Sequence, residues 1–351
     1  MAKRLALFNH KGGVSKTTTT FNLGWMLASR GKTVIMVDTD PQCNLTGLVM
    51  GYTGPDELAR FYETEKERNL KSGLAPAFES RPSLIEAVDC VPVKAREGLF
   101  LLPGHIGLSE YEVTLGIAQE LSATIQTLQN LPGAMSYLLK VTAEQFDADY
   151  VLIDMNPSLS SFNQNLLVTS DFFILPTNPD YFSVMAIESL ATVLPNWSAW
   201  ATKAYSMPAL TNASYPFPKV TPRFLGTIVQ EYRPRGGAPT KSFQRWIDEI
   251  DTSVSETLAP KLDSIGMMLP SEAYAAQGIG DGLCLSRIPD FNALIAISQE
   301  AQTPVYALTA EQIGQVGIVL DRTMKSRDMF EQLFSKLADT IIGLTNYASG
   351  N

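Results

Sequence analysis

The chain has 351 residues, of which 45% are apolar and 18% charged, and 27 basic against 36 acidic side chains leave a formal net charge of −9. That apolar share is enough to bury a sizeable core and excludes bulk disorder, while the acidic balance excludes a globally basic nucleic-acid coat but not a local basic patch. Three scattered cysteines (Cys43, Cys90, Cys284) and two histidines (His10, His105) provide neither a disulfide scaffold nor a Cys/His zinc site, and fit a reducing cytosol.

In chain order, Leu5–Asn9 predicts a short strand. Its apolar part behind Lys3 and Arg4 is shorter than the ~7–15 residues of a signal-peptide core. His10–Ser15 is a Gly-containing loop, and Thr17–Ser29 a helix stopped at Gly31. Thr33–Asp38 is a continuous apolar strand, the kind buried on both faces of a parallel sheet. Residues 52–98 are charged and lack a clean period, and predict helices and loops over one end of the sheet. Further strands are expected at Leu99–Leu102, Tyr150–Asp154, Phe172–Pro176, Phe224–Gln230 and Val305–Leu308. Residues 195–222 hold Pro195, Pro208, Pro216, Pro218 and Pro222 with aromatics between them, and read as an ordered insertion.

Near the end, Met329, Phe330, Leu333, Phe334, Leu337, Ile341 and Leu344 form an apolar stripe. Its polar side holds Glu331 and Asp339 with Lys336 nearly alone, which predicts a core-packed terminal helix rather than a membrane-surface one. No run approaches the ~18–20 apolar residues of a membrane span. Strands alternating with helices predict an α/β fold: a mostly parallel sheet with helices on both faces, in one domain over residues 1–351.

The chemistry starts at Lys11-Gly12-Gly13-Val14-Ser15-Lys16-Thr17-Thr18, between a strand and a helix. The ordinary phosphate loop, GxxxxGK[ST], would have glycines at positions 10 and 15, where this chain has His10 and Ser15. The physics survives the mismatch. Gly12 and Gly13 let backbone N–H groups turn towards an anion, and the following helix adds its positive end. Lys16 would reach the β- and γ-phosphates, and Thr17 would offer its hydroxyl to Mg²⁺. Asp38-Thr39-Asp40-Pro41-Gln42 ends one strand and Asp154 ends another, and carboxylates there face the ligand crevice of an α/β sheet.

These segments resemble the ParA/MinD family of P-loop ATPases. Lys-Gly-Gly-x-x-Lys-Thr with an extra lysine, here Lys11, is similar to the family's deviant Walker A motif. Asp38–Gln42 resembles its D-x-D-P-Q segment, and Tyr150–Asp154 its Walker B strand. Met155-Asn156-Pro157-Ser158 keeps the frame of switch II but lacks its first proline. Leu99–Gly104, Phe173–Pro176, Tyr181–Ser183, Leu225–Tyr232 and Ile288-Pro289 extend the likeness, which is closest to the ParA/Soj partition branch.

The resemblance implies ATP and Mg²⁺ as ligands and slow hydrolysis to ADP and phosphate. Gly12, Gly13, Val14, Ser15, Lys16, Thr17 and Thr18 would bind phosphates, with Gln230 and Pro289 beside adenine. Thr17, Asp38 and Asp154 would serve the metal. Asp40 would position the attacking water, and Lys11 would cross to the nucleotide of a partner protomer in an ATP-bound homodimer.

It also implies a ParB-like activating partner, a cytoplasmic or nucleoid-associated location without membrane attachment, and DNA binding without sequence preference. For DNA the candidates are Lys219, Arg223, Arg233, Arg235, Lys241 and Arg245, with Arg322, Lys325 and Arg327 as a smaller cluster. A MinD-like switch on a protein or membrane cargo, or a metabolic enzyme of the same superfamily, are the alternatives. The nitrogenase iron protein needs two cysteines per subunit, and Cys90 and Cys284 lie outside any suitable motif.

Overall fold

The apolar runs become the strands of a single eight-stranded sheet in the computed structural model, which describes residues 1–51, 54–121, 125–235 and 238–348. These are β1 (Lys3–Leu7), β2 (Val34–Asp38), β3 (Val91–Pro92), β4 (Leu99–Leu102), β5 (Tyr150–Asp154), β6 (Phe172–Thr177), β7 (Arg223–Tyr232) and, after a small hairpin of β8 (Pro234–Arg235) and β9 (Ala238–Pro239), β10 (Cys284–Pro289). The order is β10-β7-β6-β1-β5-β2-β4-β3, and every pairing is parallel except β3 with β4. Every residue of β2 and β5 is buried, as the continuous apolar runs require of central parallel strands.

Helices fill the crossovers: α1 (Lys16–Ser29), α2 (Asn44–Met50), α3 (Pro55–Thr64), α4 (Leu70–Phe78), α5 (Leu108–Leu121), α6 (Leu131–Gln145), α7 (Ser161–Val168), α8 (Tyr181–Ala204), α9 (Pro208–Thr211) and α10 (Lys241–Thr252). Register pairs Asp38 with Asp154 across β2 and β5, so two acidic residues leave the sheet side by side at the ends of neighbouring strands.

One expected strand is absent, and one boundary moves. Val305–Leu308 is a turn, not a strand. Pro304 begins it, with the Ala307 N–H on its carbonyl at 2.8 Å, and the Tyr306 hydroxyl donates to the Asn22 carbonyl at 2.6 Å. The segment therefore covers α1 and adds nothing to the sheet. Residues 195–204 belong to the long helix α8, with Pro195 inside it. Trp197 is buried against Phe8 at 5.6 Å between ring centres, and Trp200 Nε1 donates to the Gln119 carbonyl at 3.1 Å. These contacts outweigh the one backbone hydrogen bond a helical proline forfeits.

The rest of the proline-rich stretch is pinned. The Tyr215 hydroxyl accepts from the Ile85 N–H at 2.9 Å, and a Cβ added to Gly133 on α6 would stand 1.9 Å from the Tyr215 carbonyl oxygen. Backbone meets backbone there, so Gly133→Ala is expected to destabilise the chain by about 2 kcal/mol, read from denaturant or thermal melts.

The terminal helix Gly317–Ala348 buries Phe330, Phe334, Leu337, Ile341 and Leu344, as the stripe predicts, whereas Met329 lies off it at 37% exposed. Arg30 pairs with Asp339 at 2.8 Å, and the Tyr150 and Thr345 hydroxyls lie 2.8 Å apart, so this helix closes the sheet at the ends opposite the acidic pair.

Candidate functional site

The loop from Asn9 to Ser15 leaves β1 where the sheet carries the two acidic strand ends, and α1 starts at Lys16. Gly13 and Ser15 are left-handed, with φ 67° and 54°. Position 15 is where the ordinary loop has its second glycine, and a non-glycine residue there pays roughly 1–2 kcal/mol. Asn9 organises the entry: its Oδ1 accepts the Lys11 N–H at 2.9 Å and its Nδ2 donates to the Pro176 carbonyl at 2.9 Å. Among the described residues no acceptor meets the backbone N–H groups of Gly12 through Thr18. Seven donors at a helix N-terminus make a cradle for an anion.

Lys16 curls over this cradle, donating to the carbonyls of Asn9 (3.0 Å) and Lys11 (3.2 Å). Burial lowers its pKa, and Asp154 and Asp40 partly restore it. A buried ammonium held only by carbonyls is poised for a stronger anionic partner.

Asp154 is the acidic centre. Its Oδ2 accepts from the Thr17 hydroxyl at 2.7 Å, while its Oδ1 is buried without a hydrogen-bond partner. Burial, then the neighbouring Asp38, pushes its pKa up to about 8. An orphaned carboxylate oxygen beside a hydroxyl fits a cation that takes few protein ligands and several waters or phosphate oxygens. Among the described residues no group of three His, Cys, Asp or Glu side chains could hold a metal alone, so such a cation would need the ligand's oxygens too.

Asp38, expected to serve the metal, has its carboxylate engaged by protein donors. Its carboxylate accepts from the Thr46 N–H (2.8 Å) and hydroxyl (2.6 Å) and from the Asp40 N–H (3.2 Å), and it is fully buried. Burial raises its pKa to about 6. It ties the β2 end to α2 and to Gly104, whose N–H reaches the Thr46 hydroxyl at 2.9 Å, and it does not border the cleft. Asp40 does border the cleft, turned by an Oδ1 contact to the Gln42 N–H at 2.9 Å. Cys43 beside it is buried, and its thiol is pushed up to about 12, so it is not a reactive nucleophile.

The cleft holds about 1310 Å³, and its walls include Gly13–Thr18, Asp40, Ile106, Pro157, Glu231, Gln299 and Glu300. Gln230 and Pro289 lie outside it. Gln230 is fully buried beneath the loop, donating to the Val14 carbonyl (3.2 Å) and Thr19 hydroxyl (2.6 Å), and Pro289 is buried at the end of β10. The rim beyond the phosphate loop includes Glu231, which falls in the Leu225–Tyr232 segment, and Gln299 and Glu300, which carry no short motif and were legible only in three dimensions.

Lys11 does not line the cleft either. Its ammonium pairs with Asp180 at 2.5 Å and meets the Ser183 hydroxyl at 3.1 Å, at the start of α8. In the loop after β5, Asn156 stands where the first switch II proline is lost. Asn163 of α7 is fully buried and donates to the Asn156 carbonyl (2.9 Å), its Oδ1 (2.8 Å) and the Ser158 carbonyl (2.8 Å). Asn163→Ala would strand these acceptors and is expected to cost about 2 kcal/mol, with faster amide exchange across residues 155–160.

The basic residues are only partly free. The Arg223 guanidinium is spent on the carbonyls of Gly266 and Met268, and Arg327 on the Leu308 carbonyl and Asp328. Arg233 is 77% exposed with Asp290 at 3.6 Å, Arg245 lies over Trp246, and Lys241, Arg322 and Lys325 are exposed. Lys219 sits 6.0 Å over the Tyr205 ring, and the Arg235 side chain lies outside the described residues. Ile106 on the cleft wall is an exposed apolar side chain, as are Val113, Ile117, Leu159, Tyr181, Phe182 and Met185 elsewhere on the surface.

A family model described as "AAA domain", AAA_31, matches residues 2–202. The sporulation initiation inhibitor protein Soj of Bacillus subtilis is 30% identical over 190 residues, 54% of this chain and 64% of that protein. The chromosome partitioning protein ParA of Caulobacter vibrioides is 32% identical over 191 residues, 53% and 60% respectively. The match thus spans less than two thirds of these relatives' own length. Two solved structures share the fold across nearly the whole chain. Apo McdA of Cyanthece has a TM-score of 0.56 at 17% identity, covering 94% of this chain and 99% of that one. The pNOB8 ParA bound to nonspecific DNA has a TM-score of 0.54 at 16% identity, covering 99% of each.

Proposed function

The chain belongs to the AAA_31 family and is a P-loop NTPase of the ParA/Soj/MinD type, and on that premise we propose that it is an ATP-driven dimerisation switch that hydrolyses ATP slowly. One observation carries the reading: at the foot of the N–H cradle, Thr17 holds one oxygen of Asp154 and leaves the other buried and unpaired. ATP phosphates would take the N–H groups of Gly12–Thr18 and the Lys16 ammonium. Thr17 and Asp154 would hold Mg²⁺, which when bound neutralises charge that develops on the transferred phosphoryl group.

Asp40, on the cleft wall, would accept a hydrogen bond from the attacking water. That water supplies the new P–O bond, the bond to the ADP oxygen breaks, and phosphate leaves. Water orientation by one positioned carboxylate contributes on the order of 10²–10⁴.

Lys11 sets the coupling to assembly. In one protomer it is paired with Asp180. In the dimer it would leave that carboxylate for the partner's nucleotide, while exposed apolar side chains such as Ile106 at the cleft would be covered. Asp40→Ala is therefore expected to bind ATP, lose turnover and accumulate as a dimer by light scattering. Lys11→Ala is expected to bind ATP and stay monomeric. Normal hydrolysis by Asp40→Ala would remove that residue from the reaction.

The output of such a switch is a change in partner affinity, with a ParB-like protein as the expected stimulator and DNA as the expected surface. Arg233, Lys241 and Arg245 are exposed basic side chains that follow the cleft-lining end of β7. If the ATP dimer engages phosphates, log affinity for DNA falls with log salt at a slope of about −0.9 per phosphate neutralised. No ATP-dependent DNA binding at low salt would favour a protein cargo instead.

A further inference from the structure

Three consecutive residues of the phosphate loop are held by three side chains from the ends of two neighbouring strands. Asn178, just past β6, donates to the Gly13 carbonyl at 2.8 Å. Gln230 of β7 donates to the Val14 carbonyl at 3.2 Å. Glu231, the next residue of β7, accepts from the Ser15 hydroxyl, and its other carboxylate oxygen accepts from Asn178 at 3.1 Å. Ser15 and Glu231 are both left-handed, at φ 54° and 60°, and neither is glycine. Two residues in sparsely populated conformations that meet through their side chains keep them only where the surroundings over-determine them.

We infer that Glu231, with Asn178, is a positioning residue for nucleotide binding: the brace does for Ser15 what the missing side chain does for the glycine of an ordinary phosphate loop. The inference rests on the nucleotide reading above. A glycine enters the left-handed region as readily as the right-handed one, whereas a serine is driven out of it. Released from Glu231, Ser15 would relax and turn the neighbouring N–H groups away from the anion. A carboxylate beside a phosphate site is otherwise a handicap, because like charges repel. Geometry and charge thus predict opposite signs for its removal, and the dependence on Glu231 exists only while residue 15 has a side chain.

The test measures Mg-ATP and Mg-ADP affinity, with melting in the absence of nucleotide, for the wild type, Glu231→Ala, Glu231→Gln, Ser15→Gly and the Ser15→Gly/Glu231→Ala double variant. Glu231→Ala is expected to weaken ATP about tenfold, and in the Ser15→Gly background to change it by less than about twofold. Glu231→Gln, which keeps an acceptor for the serine hydroxyl, is expected to recover most of the loss. Without nucleotide, Glu231→Ala should lower the melting temperature only where Ser15 is intact. Tighter ATP binding by Glu231→Ala, no change, or equal weakening in both backgrounds would overturn the inference while leaving the nucleotide reading standing. A wild type that binds no nucleotide would overturn the proposed function, and the melts alone would then decide whether the brace exists.

Discussion

Lys16→Ala is expected to abolish measurable ATP binding while leaving the fold intact. Lys16 is 7% exposed and its ammonium donates only to two loop carbonyls, so its own contribution to folding is small against the desolvation it suffers. Facing a phosphate it forms a charge-assisted bond in a poorly solvated site, and truncating such a buried partner typically costs about 3 kcal/mol or more, roughly a hundredfold in affinity. Calorimetric titration with Mg-ATP gives the affinity, and a melt of the nucleotide-free variant checks the fold. Near-wild-type affinity would dismiss the whole cradle as a phosphate site.

Asp154→Asn separates stability from function more sharply. Turnover should fall by about 10²–10⁴, because the amide keeps the Thr17 contact but cannot bind the cation as an anion. The nucleotide-free chain should nevertheless become more stable near neutral pH, by on the order of 2 kcal/mol, because the amide removes the cost of keeping protonated a buried carboxyl that the unfolded chain ionises. The sign of the pH dependence follows. A folded pKa of about 8 lies above the ordinary carboxyl value of 3.8, so the folded state holds the proton more tightly than the unfolded chain. The stability this confers is complete below about pH 4 and is lost as pH rises through 8. Asp38, raised to about 6, adds the same sign over the lower part of that range. Urea titrations from pH 5 to 8.5 should show the wild type losing stability and the variant losing less. Parallel curves would mean that Asp154 is not strained by burial.

The sheet and its phosphate loop were legible because they rest on local pattern: apolar runs of strand length, glycines before a helix, aspartates at strand ends. Asp40, Thr17 and Asp154 fall where those patterns put them. Asp38 fits the same pattern and serves a different end, because its partner Thr46 is eight residues away and only the turn into α2 makes them meet. Gln230 lies beneath the loop rather than on the cleft wall because β7 runs one residue further before reaching the rim, so Glu231 takes the exposed place. Val305–Leu308 is apolar enough for a strand, but a short apolar run looks the same whether it joins a sheet or covers a helix. Pro195 misplaced a boundary because packing of Trp197 on Phe8 is a long-range fact that composition does not carry.

The two margins of the sheet bear on how this protein associates. At one margin β3 is only two residues long, runs antiparallel, and contains Pro92, which has no N–H to offer a further strand. A margin so short and so poor in donors is a weak template for another chain. Growth by adding strand to strand at that end is disfavoured, and copies meeting on that side would do so through faces and side chains. Larger species seen on adding nucleotide therefore point to the cleft side of the molecule. Larger species seen without it point to the opposite margin, where β10 runs the full length of six residues.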